Sequence, residues 1–215
     1  MAILRLVGFA RSTSTRRVVT VLHELKIPFE LIEVDFYNGE HKGPDFLKHQ
    51  PFGQTPYIDD DGFILYDSRA ICRYLAAKHP ESGLIPTDLK SNALFEQAAA
   101  VEVTHFYPSA SLAGFQLYQR SFGDPYDQAV LAEQLEILDK KLDAYDVILE
   151  KRYMAGDTFT LVDLFYLPYA PLVTLDESDI MTKRPNVARW YKELVARPSW
   201  LATASLEKIK TTTAY

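Results

Sequence analysis

Four short stretches of this chain hold residue types suited to gripping a small charged peptide. In the run Pro51 to Tyr57 a Thr55-Pro56 bond stands at the start of a β-prone segment. The residue before a proline is pushed to extended geometry. A cis bond would turn the Thr55 N–H and C=O outward, where an extended peptide can pair with them as an added strand. An ordinary trans proline at a strand start is the plain alternative. Asp67-Ser68 stands where a helix follows the next strand. Both residue types cap helices. A helix N-terminus also binds carboxylates through its open N–H groups. The Ser68 hydroxyl and N–H would hold a ligand carboxylate, and the Asp67 side chain would meet its ammonium. Gly39-Glu-His-Lys42 is either a solvated charge cluster or a site where Lys42 faces a second carboxylate and His41 donates a further hydrogen bond. Arg11-Ser-Thr-Ser-Thr-Arg-Arg17 carries more hydroxyls than one helix cap requires. A serine hydroxyl here can cap, or can donate to an anion.

The elements that must position these residues follow from periodicity. Ile3 to Val7 is β-prone, and Val18, Val21, Leu22 and Leu25 recur at helical spacing until Pro28. Phe29 to Phe36 reads as a half-buried strand, Asn38-Gly39 as a turn and Pro44 to Lys48 as a short helix. Pro56 to Ile58 and Phe63 to Tyr66 are short strands joined by an Asp59-Asp-Asp-Gly62 hairpin turn. Asp67 to Lys78 is helical, giving the order β-α-β-α-β-β-α and a mixed sheet. Pro80 to Lys90, with prolines, a glycine and a serine, is the linker candidate. Beyond it the pattern is helical. Leu131, Leu135, Leu138, Leu142, Tyr145 and Leu149 step by threes and fours, with Asp124-Pro125 as the expected start. Thr160-x-x-Asp163 has capping-box spacing, and further helices fit Pro185 to Ala196 and Pro198 to Ile209.

The bulk numbers narrow the class. The chain has 215 residues, 47% hydrophobic and 24% charged, as an ordinary globular protein has. A net charge of −6 argues against nucleic acid as a partner. No run reaches the ~18 apolar residues of a membrane helix, and no secretory signal is convincing. The single cysteine, Cys72, gives no disulfide framework, which fits a reducing, cytoplasmic setting. Its surroundings read as those of a buried small hydrophobe.

Taken together, the four stretches suit a peptide with two carboxylates, an ammonium and a thiol. Ser-Thr-x-x-x-Arg-Val at Ser12 to Val18, Gly-Glu-His-Lys at Gly39 to Lys42, Pro-Phe-Gly-Gln-x-Pro at Pro51 to Pro56 and Ser-Arg-Ala-Ile at Ser68 to Ile71 occur in one order. Gly-Asp-x-Phe-x-x-x-Asp follows at Gly156 to Asp163. With these motifs the chain resembles the glutathione transferases, in particular their phi-like, serine-type class. The resemblance implies an α/β thioredoxin-like N-terminal domain (1–80, glutathione-binding), a linker (81–90) and an all-α C-terminal domain (91–215). It implies that Pro56 is a cis proline and that Thr55 pairs with the cysteinyl backbone of glutathione. Gln54, Asp67 and Ser68 would hold the γ-glutamyl end, with His41 and Lys42 beside the glycyl carboxylate and Ser12 facing the sulfur, Thr13 and Ser14 being the alternatives in register. Where the class usually has Glu, this chain has Asp67, one carbon shorter. Arg11, Phe36, Phe106, Phe115 and Tyr118 would line the pocket for a hydrophobic electrophile. Glutathione would be a co-substrate, with no metal, no nucleic acid and no membrane involved. A homodimer is implied, with Arg69 and Arg73 at its interface. The implied activity is conjugation of glutathione to electrophiles, with reduction of organic hydroperoxides as a second possibility. A weakly catalytic ligand carrier on the same fold is the alternative.

Overall fold

The computed structural model describes residues 3–204. They divide into two compact units, one from the N-terminus to Ser82 together with the segment from Pro198, the other Gly83–Arg197.

The first unit contains β1 (Leu4–Gly8), α1 (Thr13–Glu24), β2 (Phe29–Glu33), α2 (Pro44–Leu47), β3 (Tyr57–Asp60), β4 (Phe63–Tyr66) and α3 (Ser68–Lys78). This is the expected order, with β2 ending three residues early. The strands lie in the order β2-β1-β3-β4. β1 pairs parallel with β2 and antiparallel with β3, and β3 pairs antiparallel with β4. Asp61 and Gly62 both take positive φ, as a two-residue hairpin turn requires. Registry sorts the side chains into two faces. Leu6, Leu31, Ile58 and Leu65 stand on one, opposite each other. This face meets the layer of α1 and α3, whose buried stripes are Val18, Val21 and Leu22 on one helix and Ile71, Cys72 and Leu75 on the other. Val7, Ile32, Tyr57 and Ile64 stand on the second face, where Phe46 of α2 and Val34 join them.

The segment after Pro198 departs from the expected 91–215 helical domain. α9 (Pro198–Ala204) belongs to the first unit. Thr20 Oγ1 lies 3.1 Å from Thr203 Oγ1, Ser199 Oγ donates to Glu24, and the Arg16 guanidinium lies over the Trp200 ring. Those side chains tie the segment to α1. The rest of the expected helix, to Ile209, lies outside the described residues.

The second unit is helical: α4 (Leu89–Val101), a π-turn at Glu102–Phe106, α5 (Tyr107–Ser121), α6 (Gln128–Ile148), α7 (Leu161–Tyr166) and α8 (Pro185–Val195). α6 begins after Asp127 rather than at Asp124-Pro125, because the Asp127 carboxylate accepts from the Ala129 and Val130 amides. Thr160 and Asp163 form the expected capping box at α7. Asp163 does more than cap. Fully buried, it also accepts from the Met154 amide at 3.1 Å and from the Trp190 indole N–H at 2.9 Å. Among the described residues no helix is long and apolar enough to cross a membrane.

Candidate active site

Ser12 is the N-cap of α1. Its extended backbone (φ −64°, ψ 127°) lets Oγ accept from the Thr15 amide at 3.4 Å, while its own amide donates to Phe9 O at 2.9 Å. A hydroxyl has one proton and two acceptor lone pairs. Using one lone pair for the cap leaves the proton for something outside the helix. The loop before Ser12 is pinned from the strand side, where Val34 N donates to Gly8 O and Ala10 N donates to the Glu33 carboxylate.

The Thr55-Pro56 bond is cis, as the resemblance implied. Pro56 is buried and Thr55 half-buried. The cis proline sits against the end of β1. A Cβ on Gly8 would lie 2.7 Å from Thr15 Oγ1 and 3.0 Å from Pro56 Cβ. Only glycine leaves room there for α1 and the proline to approach the strand together.

Asp67 has φ 69° and ψ 116°, a backbone conformation rare for a residue with a side chain. Its Oδ1 accepts from the Arg69 and Ala70 amides at 2.9 and 3.1 Å. Oδ2 takes no hydrogen bond among the described residues, so one oxygen caps α3 and the other stays available to an ammonium. Ser68 follows at the first position of α3, only 6% exposed. Its Oγ accepts from Arg17 Nη1 at 2.8 Å.

His41 is buried and stacks on Phe36 with ring centroids 4.1 Å apart. Phe36 in turn stacks on Phe9 at 5.1 Å. Burial, and then the neighbouring Lys42 charge, hold the His41 imidazole below its ordinary pKa, so it is neutral at pH 7. The Lys42 ammonium donates to Gly53 O at 2.6 Å and to Phe52 O at 3.3 Å. With two of three donors on backbone carbonyls, one is left for a ligand. Gly53, at φ 60°, packs so closely that a Cβ would lie 2.9 Å from His41 O. Gln54 is exposed, and its backbone N–H donates to the side-chain oxygen of the buried Gln50 at 3.2 Å.

Contacts therefore link all four stretches. Ser68 meets Arg17 of α1, Ser12 caps that helix and bonds Phe9, and Phe9 leads through Phe36 to His41. Lys42 meets Gly53, and the same loop ends at Pro56, which returns to Gly8. Arg17, Gly8 and Phe9 were not singled out from sequence. Arg17 stands in the Ser-Thr-x-x-x-Arg-Val motif, the one signal in the sequence that touches it, but the motif does not say what it contacts.

The expected electrophile residues fare unevenly. Phe36 is 39% exposed and Arg11 is exposed. Phe115 is 56% exposed on α5, and Tyr118 packs on Phe122 at 4.8 Å. Phe106 is a correction: it has no exposed surface and sits edge-on to Tyr166 at 4.9 Å, so it is core of the helical unit and lines no pocket. Cys72 is fully buried, and burial pushes its thiol up to about 12, which removes it as a nucleophile.

Residues 11–78 match the family model for the glutathione S-transferase N-terminal domain, and 106–198 match that for the C-terminal domain. This chain belongs to the glutathione S-transferase family. A curated relative, glutathione S-transferase hmp2 of Hypomyces subiculosus, is 42% identical over 94% of this chain and 98% of its own length. The crystal structure of glutathione transferase F2 from Populus trichocarpa is 38% identical, with a TM-score of 0.90 over 95% of this chain and 99% of that one. The structure of glutathione S-transferase I from mais in complex with an atrazine glutathione conjugate is 32% identical, with a TM-score of 0.88 over 98% of this chain and 100% of that one. The transferase is of the phi-like class that its motifs indicated.

Proposed function

We propose that this glutathione transferase activates the glutathione thiol at Ser12 and joins it to hydrophobic electrophiles. The observation that carries this reading is Ser12 itself: a cap hydroxyl with its proton unspent, at the positive end of α1. A cysteine-type thiol titrates near about 8.5. Bringing it down by ~1.5 units takes about 2 kcal/mol of preference for the thiolate. One charge-assisted hydrogen bond contributes roughly 1.5–3 kcal/mol, and the helix terminus adds to it. Serine keeps its proton and acts as a donor. The thiol proton leaves to solvent, the sulfur forms a bond to an electrophilic carbon, and the leaving group departs with its electron pair.

Glutathione is assigned to the cradle as follows. Its cysteinyl backbone pairs with Thr55 beside Pro56. Ser68, the open oxygen of Asp67 and the Gln54 side chain take the γ-glutamyl end. The free donor of Lys42, with neutral His41, takes the glycyl carboxylate. The shorter Asp67 acid is compatible with this, since only one of its oxygens is used for capping. Phe36, stacked between Phe9 and His41, offers an aromatic wall to the electrophile, and Arg11, exposed just before Ser12, would favour an anionic one.

The relative from mais, seen with an atrazine glutathione conjugate, supports conjugation as the main reaction. Reduction of organic hydroperoxides would use the same thiolate. The test is turnover with glutathione against aryl halides, isothiocyanates and organic hydroperoxides. Glutathione binding without turnover on any of them would move the protein to the carrier reading. From the family resemblance we also propose a cytoplasmic homodimer with Arg69 and Arg73 of α3 at its interface. The mass measured by light scattering in solution tests the dimer.

A further inference from the structure

We infer that Arg17 is a positioning residue for glutathione, holding the Ser68 hydroxyl so that its proton faces the γ-glutamyl carboxylate. This rests on the assignment of Ser68 proposed above. A guanidinium has donors and no acceptor. At 2.8 Å from Arg17 Nη1, Ser68 Oγ can only be accepting. The serine proton must then point elsewhere. A serine at a helix start commonly turns its hydroxyl to local backbone; Arg17 takes up the acceptor side and removes much of that choice.

The rest of the geometry agrees. Asp67 Oδ1 consumes the Arg69 and Ala70 amides, while the Ser68 amide has no acceptor among the described residues. Hydroxyl and amide of one residue thus present two donors to one anion. Arg17 is 1% exposed, so its hydrogen bond to Ser68 is shielded from competing water. Its carbonyl accepts from Cys72 Sγ at 3.8 Å, one turn along α3, which fixes how the two helices meet around it. One helix, α1, therefore carries both Ser12 at its start and the group that sets the donor for the opposite end of the peptide.

A tie between α1 and α3 with no bearing on ligand is the competing account, and a ligand pair separates the two. Dissociation constants are measured by calorimetry for glutathione and for an analogue whose γ-glutamyl α-carboxylate is an amide. Wild type is expected to prefer glutathione by about tenfold or more. Ser68→Ala should lose most of that preference. Arg17→Met and Arg17→Gln should lose it to a similar extent, with the glutathione KM rising about tenfold and more than kcat falls. Arg17→Lys, which keeps a buried cation, should recover part of it. Should Arg17→Met fail to fold, Arg17→Gln, whose shorter neutral side chain stops short of Ser68 while staying polar, carries the measurement. A full preference in a folded Arg17 variant, beside a lost one in Ser68→Ala, overturns the role of Arg17 and leaves that of Ser68 standing. Equal weakening of both ligands in the Arg17 variants, preference intact, has the same meaning. A full preference in Ser68→Ala overturns the assignment of Ser68, and the role of Arg17 with it.

Discussion

The Thr15 amide donates to Ser12 Oγ across the first turn of α1 at 3.4 Å, so the cap takes a lone pair of the hydroxyl and leaves its proton. Ser12→Ala removes both uses at once. The cap is worth about 1 kcal/mol of stability, so the fold survives. Conjugation of glutathione to an aryl halide should fall by about 10–100-fold, the kinetic equivalent of one charge-assisted hydrogen bond. Thr13→Ala and Ser14→Ala should stay within about twofold of wild type. Near-wild-type turnover in Ser12→Ala would assign the sulfur to one of those neighbours instead.

Gly8→Ala tests the seam between β1, α1 and Pro56. The added methyl meets Thr15 Oγ1 at 2.7 Å and Pro56 Cβ at 3.0 Å. Overpacking of this kind costs about 1–3 kcal/mol. The melting temperature should drop, and the glutathione KM should rise because the proline must move away from the strand. An unchanged KM in a destabilised protein would separate the seam from ligand binding.

His41 gives the fold a pH dependence of defined sign. Burial lowers its folded pKa below the ordinary 6.5, so on acidification the unfolded chain takes up its proton first. Where the unfolded state binds more protons, stability rises with pH. The contribution is therefore complete above 6.5 and is lost as pH falls through that value toward the lowered one. His23 is lowered by burial in the same direction and contributes its own share. Melting temperatures of wild type and His41→Gln between about pH 8 and pH 5 should converge on the acid side. Parallel curves would remove His41 from the effect.

Asp163→Ala strikes the helical unit. It leaves the Trp190 indole N–H and the Met154 and Thr160 amides facing a carboxylate that is gone, in an interior with no exposure at Trp190. Breaking such a buried charged network costs about 3–5 kcal/mol, enough to threaten folding altogether. Soluble protein at wild-type yield, with a melting temperature lowered by only a degree or so, would contradict the network's weight.

The elements of the first unit were legible because each ends on a residue with local physics: Pro28, Asn38-Gly39, the Asp61-Gly62 turn, Asp67. Ser12, Thr55-Pro56 and Ser68 were legible for the same reason, as polar residues at element starts. Arg17 was not, since its meaning is a contact with a residue 51 positions away. Gly8 and Phe9 have no local signature beyond ending a strand. Phe106 misled because helical spacing shows that an aromatic repeats on a face, not whether that face is closed by Tyr145 and Tyr166. The start of α6 was misplaced because two aspartates compete as caps, and only Asp127 reaches the open amides.

The missing side chain at Gly8 also bears on how such a protein can change over generations. With neighbours at 2.7 and 3.0 Å, even the smallest step away from glycine there costs stability. That cost holds the grip on the peptide back from change. New chemistry has to come from elsewhere, and an exposed aromatic outside that chain of contacts, such as Phe115, can vary without unseating it. Thiol activation and choice of electrophile can thus drift apart in a lineage, one held still by crowding and the other left open to selection.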